Sequence, residues 1–423
     1  MLNKYSLIIS TLAVATLLIG SAITPTINAQ IQTLGVPALE TTTNTTAAVN
    51  TTALQAQIAG LQKQLYNAQH TDQIKQQAIE SKLLQPIAQS DKAKNCAIDQ
   101  HTPTTFKTYL THFACGHLTV LANGTTLREF TLIVDDNHGV GHNMSITKEG
   151  LQFPAWTFNG SIPGPTLRMT QGDHVRVIVI NSKNSLHPHS WHVHSIHSGA
   201  MDGVMGLAGM IWPGSEFTYE FVAQPYGVYP YHCHMAPVEE HINRGLYGMM
   251  IIDPQTPRPQ ATEMVMLMNG YSFNKANQTN PTEEGPPTPA DMNNVTSRNQ
   301  ILNDQTPSNQ VYTVNGMAFG YTGKNEIPLK VGQPVRIYLE NMLEYDPINN
   351  FHLHGDLFNY IPSGTSEKPT MYTDIVSLMQ GDRGILQFAY HFPGEFMFHA
   401  HKNEFTRLGW QGFFNVTKSY IKK

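Results

Sequence analysis

Charge is scarce in this 423-residue chain. Asp, Glu, Lys and Arg make up 13% of it, and the formal net charge is -5. No basic run occurs, so the electrostatic footprint of a nucleic-acid binder is missing. Cysteine is scarcer still: Cys96, Cys115 and Cys233 are the only three. Cys96 and Cys115 flank a short stretch and could pair, which leaves Cys233 as an odd thiol to be explained. The N-terminal apolar run, Leu7 to Ala22, is too short for a comfortable membrane span. Against these shortages stand 20 histidines, and neutral imidazole is a common metal ligand.

The first residues read as an export signal. Lys4 supplies positive charge, the apolar run follows, and Ile27-Asn28-Ala29 ends in a small residue suited to cleavage. The competing reading is an uncleaved anchor; either one places the body outside the cytoplasm, extracellular, at the cell surface or in a periplasm. Eight Asn-x-Ser/Thr sequons, at Asn44, Asn50, Asn123, Asn143, Asn159, Asn277, Asn294 and Asn415, fit an extracellular surface.

Four regions are expected: a signal peptide over 1–29, a disordered linker and amphipathic helix over 30–104, and β domains over 105–255 and 256–418. Within 30–104, Leu54, Ile58, Leu61, Leu65 and Ala68 follow a four-three spacing in Gln-rich sequence, as a short helix or coiled coil would. From about residue 105, short runs rich in Val, Ile, Tyr and Phe alternate with Gly, Pro and Asn turns. That is the pattern of an antiparallel β-sandwich. Phe130–Val134, Val175–Ile180 and Phe217–Phe221 are strand candidates, Asp253–Pro259 reads as a linker, and 272–308 as a long polar loop.

The second β region repeats the first. Thr157-Phe-Asn-Gly160 matches Thr313-Val-Asn-Gly316, and Gly172-Asp-His-Val-Arg-Val177 matches Gly332-Gln-Pro-Val-Arg-Ile337. Counting on from Asn181 and Asn341, His192 and His194 fall opposite His352 and His354. Gly227-Val-Tyr-Pro-Tyr-His-Cys-His234 matches Gly394-Glu-Phe-Met-Phe-His-Ala-His401. The duplicated domain therefore carries four His-x-His pairs, each expected to project from one face of a strand.

Cys233 lies between His232 and His234, so its side chain points to the opposite face. One residue can thus join two metal sites, a short route for electrons. A blue copper takes one Cys and two His with a weak axial ligand. His189 and His241 are the candidate histidines, and Leu246 falls at the axial place, with Met249 and Met250 nearby. The second domain has Asn349, Ala400 and Phe405 in the corresponding slots, so all three ligands are lost together while the His pairs stay.

Here the sequence resembles a known family. His189-Ser-Trp-His-Val-His194, Phe351-His-Leu-His-Gly355 and His232-Cys-His234 followed by His241 are similar to the copper motifs of multicopper oxidases. Gly245-Leu-Tyr-Gly248 resembles the domain end of small, two-domain laccases. The similarity covers about 125–418; Ser195 replaces a usual Gly, and the Cys233-to-His241 spacing is longer than in three-domain laccases. The resemblance implies two tandem cupredoxin-like Greek-key domains. It implies four coppers per chain: type 1 at His189, Cys233 and His241, type 2 at His192 and His352, and a type 3 pair at His194, His232, His234, His354, His399 and His401. It also implies a homotrimer with clusters between subunits.

The activity so implied is one-electron oxidation of a reducing substrate coupled to four-electron reduction of dioxygen to water, with Cys233, His232 and His234 carrying the electrons. The donor would be a small molecule, a metal ion or a small cupredoxin. Asp356, Glu239 and Glu240 are candidate proton carriers. The related copper nitrite reductases are the main alternative, although the resemblance implies an Asp there at the place of His192. A non-catalytic copper or electron carrier is the third reading. His187 and His197 are read as surface or outer residues, Met264, Met266 and Met268 as core, and Met201, Met205 and Met210 as an ambiguous Gly-rich loop.

Overall fold

A computed structural model describes residues 105–122, 124–137, 143–147, 150–204, 209–272, 310–344, 346 and 348–418. All lie in one compact unit, Pro86–Lys423. The expected signal segment and the linker and helix over 30–104 fall outside the described residues, as do Cys96, Met205 and the 272–308 loop apart from Ser272.

The first half contains β1 (His117–Val120), β2 (Thr126–Asp135), β3 (Asn143–Ser145), β4 (Gln152–Pro154), β5 (Thr157–Phe158) and β6 (Gly164–Thr170). It continues with β7 (His174–Asn181), β8 (His192–Val193), β9 (Glu216–Val222), β10 (Gly227–His232) and β11 (Tyr247–Asp253). The second half contains β12 (Thr262–Ser272), β13 (Gln310–Val314), β14 (Ile327–Lys330), β15 (Val335–Asn341), β16 (Ile348–Leu353) and β17 (Phe358–Pro362). It ends with β18 (Met371–Thr373), β19 (Ile375–Met379), β20 (Arg383–Phe388), β21 (Gly394–His399) and β22 (Gln411–Thr417). The helices are short: α1 (Phe106–Tyr109), α2 (Val238–Arg244) and α3 (Asn403–Arg407).

These strands build two tandem cupredoxin-like sandwiches. One pairs the sheet β1-β2-β7-β9, with β5 on β2, with the sheet β6-β11-β10-β8. The other pairs β13-β12-β15-β20-β17-β18 with β14-β22-β21-β16-β19. Alternation explains the placement. In β7, Val175, Val177 and Val179 are buried, while the residues between them are partly exposed. Strand β12 is apolar on both faces because both are covered. Met264, Met266 and Met268 enter the second domain's own core, and Val265 and Leu267 enter a core shared with the first domain's Tyr247, Met249 and Ile251. The Met stripe is core, as the alternation predicts.

The repeat is a repeat of register. Asn159 and Asn315 both take left-handed backbone, with φ of 53° and 54°. Asn159 Oδ1 accepts from Ile133 N–H at 2.6 Å, and its amide donates to Thr131 O at 3.1 Å. Asn315 does the same to Leu267 N–H and Val265 O, each at 2.8 Å. The Asn-Gly dipeptides thus brace β2 and β12, and Asn159 is an internal brace, which removes its sequon from the surface. Parallel pairing agrees: Val134 faces Asn181, and Met268 faces Asn341.

A charged clamp ties the halves together. Arg168 on β6 bonds Asp253 and Glu263 at 2.7 Å each, and Glu263 also accepts from Arg336 at 2.9 Å and Tyr338 at 2.7 Å. The guanidinium lies 4.6 Å from the Phe113 ring. Removing one partner strands the other charges away from water, so Arg168→Met should cost about 3 kcal/mol of stability. Chemical denaturation of the metal-free protein measures it; a change under about 0.5 kcal/mol, typical of an exposed surface pair, rejects the clamp.

Candidate metal centre

Three side chains from three elements meet beneath the first domain's surface. His189 pairs in an isolated bridge with Ile211, Cys233 follows β10, and His241 lies on α2. Cys233 Sγ is 3.1 Å from His241 Nδ1 and 3.7 Å from His189 Nδ1, and the two Nδ1 atoms are 3.3 Å apart. All three residues are buried. Helix α2 stops at Gly245, whose φ of +119° turns the chain so that Leu246 O accepts from Cys233 N–H at 3.0 Å. Leu246, Met249 and Met250 are all fully buried. A Cβ at Gly245 would lie 2.7 Å from Trp156 O and 2.9 Å from Ile162. Gly245→Ala should therefore lower the melting temperature through about 1–3 kcal/mol of strain, read by thermal unfolding; an unchanged midpoint would mean the turn is relaxed.

Charge is stored at this site. Burial disfavours the Cys233 thiolate, but His241 and His189 beside it outweigh burial and hold the thiol well below its usual pKa. Burial likewise disfavours the His189 imidazolium, but Asp136 and Cys233 push its pKa up to about 9. A metal entering here displaces a proton.

The His-x-His pairs form two further clusters. The register places His192 opposite His232, and His352 opposite His399. Each strand ends within its pair, so only the first histidine of each is in a strand. The side chains still project together, with ring centroids 4.8–5.8 Å apart within the pairs. His194 Nε2 lies 3.2 Å from His232 Nε2, and His354 Nε2 lies 3.0 Å from His399 Nε2. His234 joins the first cluster at 5.2 Å from His192, and His401 joins the second at 5.3 Å from His352.

Backbone carbonyls fix the tautomers. His192 Nδ1 donates to Asp202 O at 2.8 Å and His352 Nδ1 to Asp374 O at 2.9 Å. His232 donates to Cys233 O at 2.9 Å and His399 to Ala400 O at 2.7 Å. A carbonyl can only accept, so the proton sits on Nδ1 and Nε2 is free for a metal. Burial, reinforced by neighbouring imidazoles, lowers the pKa of His194 to about 4 and of His232 to about 3. His192, His354 and His399 shift the same way for the same first cause. These rings are neutral, the form that binds metals.

Among the described residues, close ligand groups form within each domain and none mixes the two: His192, His194 and His232 make one, His352, His354 and His399 another. His194 instead faces the turn before β20, where a Cβ on Gly381 would lie 3.6 Å from its ring.

Family models described as Multicopper oxidase match residues 141–257 and 284–419. The chain belongs to the multicopper oxidases. A solved structure titled as a multicopper oxidase is 41% identical, covering 78% of this chain and all of that one, with a TM-score of 0.62. The blue copper oxidase of Nitrosomonas europaea is 27% identical, covering 69% of this chain and 86% of that one, with a TM-score of 0.56. The copper-containing nitrite reductase of Neisseria meningitidis serogroup B is 28% identical over 251 residues, covering 59% of this chain. The match spans 60% of that relative's length. The relatives so named are copper oxidases and a copper nitrite reductase. A thiolate with two imidazoles, beside clusters of neutral imidazoles, is a donor set copper takes.

Several residues escaped the sequence reading. Asp136 is buried with Oδ2 at 3.2 Å from His189 Nε2, and His187 bonds the same oxygen. Asp202 Oδ1 lies 3.3 Å from His192 Nδ1, and Asp374 Oδ2 lies 3.7 Å from His352 Nδ1. His197 sits 3.6 Å from Asp202 and 6.0 Å from the His192 ring. Two of the three candidate proton carriers have charged partners: Glu240 pairs with Arg244 at 3.1 Å, and Asp356 accepts from His391 at 2.7 Å. Cys115 is disulfide-bonded, and Cys233 is free.

The second domain plugs the slot that its sister uses. Ala400 N–H bonds Trp410 O at 3.3 Å, as Cys233 bonds Leu246. Phe405 stacks on Tyr312 at 4.0 Å, where the first domain sets Trp156 edge-on to His241 at 4.7 Å. An aromatic stack stands where the first domain has its His189, Cys233 and His241 cluster.

Proposed function

We propose that this oxidoreductase oxidises a reducing substrate one electron at a time and reduces dioxygen to water; His189, Cys233 and His241, near the buried Leu246, would hold an electron-accepting copper, and the paired histidines would hold a three-copper cluster. Copper at these positions supplies the one-electron and dioxygen chemistry. The chain supplies placement. Cys233 turns its sulfur to one site while its neighbours His232 and His234 reach the other, so one peptide unit separates the cysteine from each of them. His192 and His352 would hold the type 2 ion, and His194, His232, His234, His354, His399 and His401 the type 3 pair. Four of these imidazoles belong to the first domain and the other four to the second, and among the described residues no close ligand group mixes the two, so the reading includes a homotrimer in which one protomer's first domain faces its neighbour's second. Export belongs to the same proposal: the N-terminal residues read as a signal, and the disulfide at Cys115 suits an oxidising compartment.

The observation that carries the reading is the fourth imidazole in each half, His234 and His401, packed onto His192 and His352. A single ion would leave several of the eight idle. Nitrite reduction is the second reading, supported by the Neisseria relative. Metal analysis separates them: four coppers per chain supports the oxidase, two the nitrite reductase, one a carrier. Anaerobic reduction followed by oxygen or nitrite then shows which acceptor restores the blue absorption. Reoxidation by nitrite alone would sink the oxidase.

A further inference from the structure

Asp136 belongs to the electron-accepting site, though nothing in the copper motifs includes it. It follows β2, some fifty residues before His189 in sequence. Its Oδ1 accepts the Leu186 N–H at 2.6 Å, and its Oδ2 accepts the His187 N–H at 3.0 Å and the His187 ring Nδ1. The same Oδ2 lies 3.2 Å from His189 Nε2, the nitrogen turned away from Cys233 and His241. The approach falls short of good hydrogen-bond geometry, since His189 Nε2 has no satisfied partner, so the contact acts mainly through charge. Both side chains are at 0% exposure, where a charge is little screened.

The duplication supplies an internal control. Val134 and Met268 occupy one register position, because each pairs with the Asn that precedes its domain's histidines. The Asn159 and Asn315 braces give the same offset. Asp136 therefore aligns with Gly270, and His187 with Pro347. The carboxylate and its capping imidazole are absent from the domain that lacks His189, Cys233 and His241, although that domain keeps the brace, the strands and the His-x-His pairs. A carboxylate needed only to fold the sandwich has no reason to vanish with the ligands. His187 closes the arrangement: its ring stacks on Trp156 at 4.9 Å, and Trp156 lies edge-on to both His189 and His241.

We propose that Asp136 is a positioning residue for His189, placing beside its far nitrogen a buried negative charge that lowers the reduction potential of the copper bound by His189, Cys233 and His241. This rests on the reading of those three as a blue-copper site. A negative charge favours the oxidised ion over the reduced one, so it lowers the potential. His187 tempers the charge by donating to it.

The test is a redox titration of the blue absorption in the copper-loaded full-length protein. Asp136→Asn keeps the shape and removes the charge. The equilibrium constant for reduction should rise about tenfold, which for a one-electron couple is about 59 mV. His187→Phe keeps the ring on Trp156 and removes a donor to Asp136, so it should shift the potential the other way. A packing role alone predicts the same sign for both. An unchanged potential in Asp136→Asn overturns the inference, as does a folded variant that has lost the band. Should Asp136→Asn not fold, an unchanged or raised potential in His187→Phe overturns it. Absence of a blue band in the unmodified copper-loaded protein would instead sink the site assignment itself.

Discussion

Cys233→Ser is expected to abolish the blue absorption, drop the copper content by one per chain and leave the protein folded. The thiol is buried, with Sγ 3.1 Å from His241 Nδ1, and receives the Ser190 N–H at 3.3 Å. A serine hydroxyl fits the space but does not ionise, and it offers a hard oxygen where a soft ligand is needed. The pockets of His192, His194, His232 and His234 are fixed by the register of β8 with β10 and by carbonyl caps, which serine leaves alone. Turnover should fall at least about a hundredfold, since even outer-shell partners of metal ligands cost 10–100-fold. Metal analysis, absorption and oxygen uptake read the three effects separately. A Cys233→Ser protein that stays blue places the electron-accepting copper elsewhere.

How much of this was legible in advance follows from where each signal lives. The His and Cys clusters were readable because copper chemistry admits few residue types and β periodicity fixes their spacing. The altered slot of the second domain was readable too, as Asn349, Ala400 and Phe405 in aligned positions. The carbonyl caps were not: any residue supplies a carbonyl, so Asp202 O and Asp374 O leave no mark in the sequence. The strand ends inside each His-x-His pair were hidden for the same reason, since they depend on where pairing stops. Asp136 could have been found, because its register partner Gly270 differs from it as Ala400 differs from Cys233. Finding it needed the β2 and β12 alignment, which carries few identical residues. Asn159 shows the reverse error: its sequon is real as a pattern, but its left-handed backbone and two hydrogen bonds give it an internal task.

Two inactive variants should restore activity when combined. In the first, His192→Ala with His232→Ala destroys the first domain's half-cluster; in the second, His352→Ala with His399→Ala destroys the other half. Each alone should show no oxygen uptake above background. Because no close ligand group among the described residues mixes the two domains, the proposed cluster takes a first domain from one protomer and a second from its neighbour. In mixed rings, the intact first domain of the second variant meets the intact second domain of the first. Random assembly of a closed cyclic oligomer makes about one interface in four competent, so co-expression should recover about a quarter of the unmodified activity. The electron route stays whole, because Cys233, His232 and His234 belong to the same chain at every competent interface. Zero recovery from rings shown to contain both variants would mean that each cluster closes within one chain, and the arrangement proposed here would have to be abandoned.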